Sequence, residues 1–355
     1  MVWPELMLLL NYSPVLHQPT GIGVYANGVL PVFNQFEHIL IPGGGSGGAK
    51  ERLKRLVWSQ FQLPRLAREC KADLIFTPAP EGYLGEQIAP QLVMVHDLRP
   101  LSHPERSMQS LYFRNWVPPL LKQCRHIITN SEFTASEIRR ATGVAEDKIS
   151  VTPLGYDADH FCPSDVPQQL HNRPYFLHVG QAYPHKNIES LIHAFNSIVP
   201  RFPEVDLVLL GKPHPSETER LQELTSELGL KTRVVFKSYV SYGDLPNWYR
   251  GALALVYPSL WEGFGLPILE AMACGCPVVT SFGSGMEEVG GNNVILIDPC
   301  NTASLLDGLL HILNSTDSSL EKIKSAGIQH AKNYSWERTR FLTHQTLLKV
   351  VTDHG

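Results

Sequence analysis

ALALVYPSLWEGFGLPILEAMACGCPVVT (Ala252–Thr280) runs through an apolar stretch, a glycine-rich loop, a helical pattern and a second apolar stretch. Ala252–Tyr257 is short, continuous and closed by Pro258, as expected of a strand buried on both faces. Pro267 suits the first turn of a helix: its φ is already set, and its missing N–H would have no partner there. Pro277–Thr280 then begins another buried strand. Strand, helix, strand in this order is a parallel βαβ unit.

The unit repeats outward in both directions. Tyr175–Val179, Val205–Leu210, Arg233–Phe236 and Val294–Ile297 are the other strands of the C-terminal half. Leu6–Leu10, His38–Ile41, Leu74–Phe76, Leu92–Val95, His126–Thr129 and Ile149–Val151 form a similar set in the N-terminal half. Between the halves, FCPSDVP (Phe161–Pro167) is polar and broken by proline, as a linker would be. No strand follows the last helix, which begins near Trp336. The expected fold is α/β, with two doubly wound domains. Ligands of such sheets bind at the carboxyl ends of the strands, which points to a cleft with the domains facing each other across it.

Composition agrees. At 355 residues the chain exceeds the roughly 150 expected of one domain. With 43% apolar and 18% charged residues it reads as soluble and globular. A net charge of −4 argues against general nucleic-acid binding. Cys70, Cys124, Cys162, Cys274, Cys276 and Cys300 contain no CxxC pair and read as reduced thiols in a cytoplasmic protein. Met1–Leu10 is apolar but short, lacks a basic leader and reads as the start of the first strand. No stretch approaches the roughly 18 apolar residues of a membrane span.

The loop after Tyr257 carries the chemistry. A helix N-terminus offers backbone N–H groups and a positive dipole end, which suit a phosphate. Gly263 and Gly265 let the backbone approach a ligand closely. Glu262 and Glu270 are two carboxylates that can accept hydrogen bonds from vicinal hydroxyls. The alternative is a surface loop with a helix-start carboxylate stabilised by the dipole.

Glu262 and Glu270 within EGFGLPILEAMACGCPVV resemble the signature of the family 4 glycosyltransferases. HVGQAYPHKNIESLIHAF (His178–Phe195) resembles that family's donor phosphate loop. VHDLRPLSHPE (Val95–Glu105), NSEFTASEIRR (Asn130–Arg140), SVTPLGYDADHF (Ser150–Phe161) and MEEVGGNNVILIDP (Met286–Pro299) extend the resemblance over most of the chain. It implies a GT-B fold and a retaining, metal-independent hexosyl transfer in polysaccharide biosynthesis. The implied domains are an acceptor-side Rossmann-like domain at 1–165 and a nucleotide-sugar-binding one at 166–335. The helix 336–355 would pack back towards the first.

The resemblance implies catalytic roles for His96, Glu262 and Lys186, with Lys186 at the donor diphosphate and Glu262 at the transferred sugar. Glu270 would hold the ribose. Gly263, Phe264, Gly265, Leu266, Gln181 and, in a glycine-rich loop at Gly21–Tyr25, Gly23 would line the donor site. The donor would be a GDP- or UDP-sugar, GDP-mannose favoured, with no cofactor, and the acceptor a glycan or lipid-linked sugar. Gln181 stands where the family usually has arginine, so a positive charge is missing. His185 or Lys212 are candidates to replace it. Gln181 also keeps a second class open, a sugar-nucleotide-binding protein without transfer activity.

Two other patterns fail on chemistry. Gly43–Gly48 precedes a helix like a P-loop, but Ala49 stands directly after the last glycine where lysine is required, and Lys50 is followed by Glu51, not by a magnesium-binding hydroxyl. It reads as a flexible acceptor-side loop. Asp157 and Asp159 resemble a metal-binding pair without further ligands, so no metal is expected. The basic stretch 50–68 reads either as a solvated helix face or as a contact with a phosphorylated acceptor or, peripherally, with the inner face of an anionic membrane.

Overall fold

The computed structural model describes residues 6–16, 21–45, 48–103, 107–164, 168–238 and 240–352. The chain forms two compact units, Met1–Gly155 with Trp336–Gly355, and Tyr156–Ser335. The first holds β1 (Met7–Asn11), β2 (Glu37–Ile41), β3 (Leu74–Thr77), β4 (Gln91–Val95), β5 (His126–Thr129) and β6 (Ile149–Val151). They make one parallel sheet in the order β2-β1-β3-β4-β5-β6. The second holds β7 (Tyr175–Val179), β8 (Asp206–Leu210), β9 (Val234–Lys237), β10 (Ala254–Tyr257), β11 (Val278–Ser281) and β12 (Ile295–Ile297). Its order is β12-β11-β10-β7-β8-β9, again parallel throughout. Every strand expected from the sequence is present within a few residues.

The strands are legible because β3, β4, β5, β8, β10 and β11 are buried along their whole length. Helices cover both faces of such a sheet, so no alternation with polar residues survives. Helix Ile188–Ile198 shows the complementary pattern. Ile188, Leu191, Ile192, Phe195 and Ile198 recur at helical spacing and are buried with Phe176, Leu207 and Val256 in the second unit's core.

Three expectations are corrected. The second unit begins at Tyr156, inside the segment assigned to the first domain. Phe161 is buried, not linking: its ring packs edge-on against Tyr242 and Tyr249, 5.7 and 6.0 Å away. An aromatic ring gains more from that pocket than from a solvated linker. Residues 165–167 of the expected linker lie outside the described residues. Gly21–Tyr25 is not a loop but the start of helix Gly21–Val29, where Tyr25, Ala26 and Val29 supply a buried face. Ser46 and Gly47 of the expected acceptor-side loop also lie outside the described residues.

Helix Trp336–Thr352 belongs to the first unit, and Thr339 donates a hydrogen bond to the Pro153 carbonyl at 2.8 Å. Trp336 lies flat on Gly28: a methyl group there would come within 2.3 Å of its ring. Gly28→Val should therefore destabilise the first unit by about 1–3 kcal/mol through overpacking. A thermal melt reads this as a lower midpoint; an unchanged midpoint would mean that the helix is not held there.

Candidate functional site

In the second sheet the chain progresses outward from β7 and β10, which lie side by side. The loops leaving their carboxyl ends diverge, and this divergence makes the crevice where open α/β sheets bind ligands. The β7 loop supplies Gly180, Gln181, His185 and Lys186, and the β10 loop supplies Glu262 to Gly265. The two are tied together by backbone and side chain. Leu260 N–H donates to the His185 carbonyl at 2.7 Å. Asn187 takes the left-handed conformation, φ 58°, that its residue type tolerates. Its amide donates to the carbonyls of Pro258 and Pro299 at 3.2 and 2.8 Å.

Lys186 and Glu262 meet at the centre of this arrangement. The Lys186 ammonium donates to Glu262 Oε1 at 2.5 Å and to the Tyr257 hydroxyl at 2.5 Å. Tyr257 in turn donates to Glu262 Oε1 at 3.3 Å. Only 12% of the lysine side chain and 18% of the glutamate's is exposed. Burial is the largest single effect on both and opposes both charges, but the partner's charge and the hydrogen bonds around the pair together outweigh it. Lys186 is thereby held protonated and Glu262 below the usual carboxylate value, helped by His185 Nε2 at 3.9 Å. A half-buried charged pair leaves a severe cost when one member is deleted. Glu262 is thus no dispensable loop carboxylate, and Glu262→Gln is a safer probe than Glu262→Ala.

His178 completes the floor. It is fully buried, its ring stacks on Tyr257 at 5.7 Å, and burial lowers its pKa to about 4. Nδ1 lies 3.0 Å from the Val256 carbonyl, which can only accept, so Nδ1 carries the proton. Nε2 is then a lone pair with no partner among the described residues. It lies near Lys186: a methyl group on Gly180 would sit 3.8 Å from Nε2 and 3.7 Å from the ammonium.

Helix Leu266–Ala273 starts beside the pair. Its N-cap is Gly265 at φ 102°, a conformation that needs glycine, and no side chain caps it. Gly263 is buried and its carbonyl meets Gly285 closely, which fixes the loop. The Phe264 side chain is also buried, packed edge-on to Tyr334 at 6.0 Å, and Leu266 is half-buried. Glu270 is half-buried and accepts a 2.8 Å hydrogen bond from the Tyr249 hydroxyl. Burial raises its carboxyl to about 7, against the opposing effect of that hydrogen bond. Gln181 donates to the Pro213 carbonyl at 3.3 Å, while Lys212 is exposed. Of the two candidates to replace the missing arginine, only His185 approaches Glu262.

The second unit therefore holds Lys186, Glu262, Glu270, Gln181 and Gly263 to Leu266, and of these it brings Lys186 and Glu262 into direct contact. His96 and Gly23 belong to the first unit. His96 follows β4, and its Nε2–H donates to the Pro78 carbonyl at 3.1 Å. Its ring meets Tyr25 edge-on at 5.2 Å. Burial lowers its pKa to about 4, so it is a neutral imidazole with Nδ1 as acceptor. Gly23 is buried within helix Gly21–Val29. Asp157 is engaged by His160 N–H at 3.2 Å and by Tyr242 at 3.3 Å. Among the described residues no three His, Cys, Asp or Glu side chains converge to hold a metal.

Sequence reasoning missed Tyr257, Tyr249 and His178. Tyr257 had a signal, a hydroxyl at the carboxyl end of an apolar strand. Tyr249 reaches Glu270 from helix Leu245–Gly251 and had none.

Residues 164–330 match the family model described as glycosyl transferases group 1, and residues 21–160 match that of glycosyltransferase family 4. The chain is 34% identical over 228 residues to the O-antigen chain mannosyltransferase RfbU of Salmonella typhimurium, covering 64% of this chain and 62% of that one. It is 33% identical over 276 residues to O-antigen chain mannosyltransferase B of Escherichia coli, covering 73% and 70%. Among solved structures, the sucrose-phosphate synthase of Thermosynechococcus elongatus superimposes with a TM-score of 0.79 at 18% identity, covering 98% and 100%. Anabaena HepE, in complex with UDP-glucose, superimposes with 0.76 at 20% identity, covering 97% and 99%. The chain belongs to the family 4, group 1 glycosyltransferases and has their GT-B fold.

The raised carboxyl of Glu270 makes a stability prediction with a definite sign. A folded-state value above the ordinary 4.5 gives stability that is present below 4.5 and lost as pH rises through about 7. Glu270→Gln, which can still accept from Tyr249, should therefore melt higher than the native protein above pH 7. The difference should shrink as pH falls towards 4.5. A gap that does not change with pH would show that the carboxyl titrates normally.

Proposed function

We propose that this glycosyltransferase moves a hexose from a nucleoside-diphosphate sugar to a glycan or lipid-linked acceptor, retaining anomeric configuration and using neither metal nor cofactor. Mannose from GDP-mannose is the favoured donor, a reading supported by the mannosyltransferases among its relatives. The observation that carries the proposal is the Lys186–Glu262–Tyr257 cluster at the β7–β10 switch point, beside an uncapped helix N-terminus. Six unpaired cysteines support a reducing compartment, the cytoplasm. No helix among the described residues is long and apolar enough to cross a membrane.

In this reading the diphosphate lies against Lys186 and the start of helix Leu266–Ala273. A lysine already charged and positioned stabilises developing negative charge without reorganising. The acceptor hydroxyl attacks the anomeric carbon from the face that the diphosphate leaves. The new C–O bond forms as the old one breaks, and the hydroxyl proton passes to the departing phosphate oxygen. Attack and departure on one face preserve configuration. Glu270 receives the ribose hydroxyls, better as a carboxylate, and Glu262 the transferred sugar. His96, a neutral imidazole of the first unit, would serve as an acceptor for a substrate hydroxyl.

Activity should survive EDTA, because charge stabilisation comes from Lys186 and backbone dipoles. Turnover that is lost in EDTA and restored by magnesium or manganese would overturn the metal-free reading. Lys186→Ala, once a thermal melt shows that the variant stays folded with Glu262 unpaired, should weaken nucleoside diphosphate binding by roughly ten- to a hundredfold, the worth of a hydrogen bond to a charged group. Affinity for the nucleoside alone should hardly change, and calorimetry compares the two. Equal losses for both would place Lys186 away from the phosphates.

A further inference from the structure

We infer, on the reading of the Lys186–Glu262 crevice as the diphosphate site, that His185 is its second cation. Its imidazole takes a phosphate oxygen of the donor in the protonated form, so donor affinity rises as pH falls.

Charge balance motivates this role. Lys186 meets Glu262 at 2.5 Å, and the pair contributes no net charge. The diphosphate of a nucleotide sugar is charged on both phosphates. A lysine already balanced by a carboxylate leaves much of that charge uncompensated in a partly dry crevice, where unpaired charge is costly. His185 is the next basic side chain on the same carboxylate oxygen, its Nε2 lying 3.9 Å from Glu262 Oε1. That distance is beyond hydrogen-bonding range, so a phosphate has no bond between the two to displace.

The local structure holds the ring in place. His185 lies in the short helix Pro184–Lys186, and its carbonyl accepts from Leu260 N–H at 2.7 Å, which ties it to the Glu262 loop. Tyr183 stacks on the imidazole with ring centroids 5.7 Å apart and planes 22° from parallel. A cation gains from an aromatic face. The His185 side chain is 16% exposed, enough to be reached and too little to be fully solvated.

The groups that face His185 from other elements respond to pH differently. Glu262 is held below the usual carboxylate value and Lys186 stays protonated, so both keep their charges near neutrality. His178, lowered to about 4, and Tyr257, raised by burial, stay neutral. Glu270, at about 7, gains a proton as pH falls, which weakens a ribose contact and has the opposite sign. From the loop after β8, Lys212 is exposed and His214 meets Tyr183 edge-on at 5.1 Å. His214 is therefore the imidazole to be told apart from His185.

Calorimetry of the full chain with a GDP- or UDP-sugar and with the matching nucleoside, at about pH 8 and about pH 5.5, brackets the range in which an imidazole titrates. The nucleoside reports any change at Glu270, so the ratio of the two affinities isolates the phosphates. That ratio should rise roughly tenfold at the lower pH, the low end of what a hydrogen bond to a charged group contributes. His185→Gln should keep the ratio low at both pH values. His185→Lys, charged throughout, should keep it high at both, and His214→Gln should respond as the native protein does. Thermal melts check that each variant is folded. A native ratio that ignores pH, or a response that survives His185→Gln or disappears with His214→Gln, would overturn the role of His185 and leave the diphosphate site standing. Failure of every nucleotide sugar to bind would overturn both.

Discussion

Lys186 and Glu262 hold opposite charges largely out of water, 76 positions apart in the chain. Neither charge is tolerable there alone, so the loops after β7 and β10 must keep their relative position for the pair to exist. The parallel sheet makes that possible. It sets the carboxyl ends of two sequence-distant strands side by side, and it diverts the following chain in opposite directions. Asn187 and the Leu260–His185 backbone bond then fix the loops to each other. The result is a cation aimed into a crevice at a helix N-terminus before any ligand arrives. An anionic ligand must compete with Glu262 for this lysine, so the site starts charged but internally balanced.

The electrostatics around that pair are graded by burial. Tyr257 and Tyr249 are pushed far above the range where phenols ionise, so both stay neutral donors. His178, lowered to about 4, is a neutral acceptor at ordinary pH. Glu270, at about 7, is the one carboxyl of this group poised to change charge near neutrality. A site so arranged can orient hydroxyls and stabilise phosphates but offers no strong general base. That suits a transfer in which the departing phosphate oxygen accepts the proton.

Much of this was legible in the sequence, for identifiable reasons. The strands of both sheets show as continuous apolar runs because the sheets are covered on both faces. Glu262, Glu270 and the glycine loop stand out because backbone geometry demands glycine at Gly265. What stayed hidden depends on distant partners. Phe161 looks like linker until Tyr242 and Tyr249 form its pocket, and Gly21–Tyr25 looks like a loop until Tyr25 finds a buried place. The basic helix shows its charge in the sequence, but nothing there says that Leu53, Val57 and Phe61 point to solvent rather than into the core. Periodicity identifies the face of a helix; only packing tells which face is covered.

The central claim is that the Lys186–Glu262 site receives the diphosphate of a nucleotide sugar. A crystal structure of the protein with a bound GDP- or UDP-sugar, chosen by its effect on the melting temperature, tests this most directly. The account predicts a phosphate oxygen within hydrogen-bonding distance of the Lys186 ammonium, the ribose on Glu270 and the sugar beside Glu262. A nucleotide seated away from the β7 and β10 loops, with Lys186 still bound only to Glu262 and Tyr257, would contradict it.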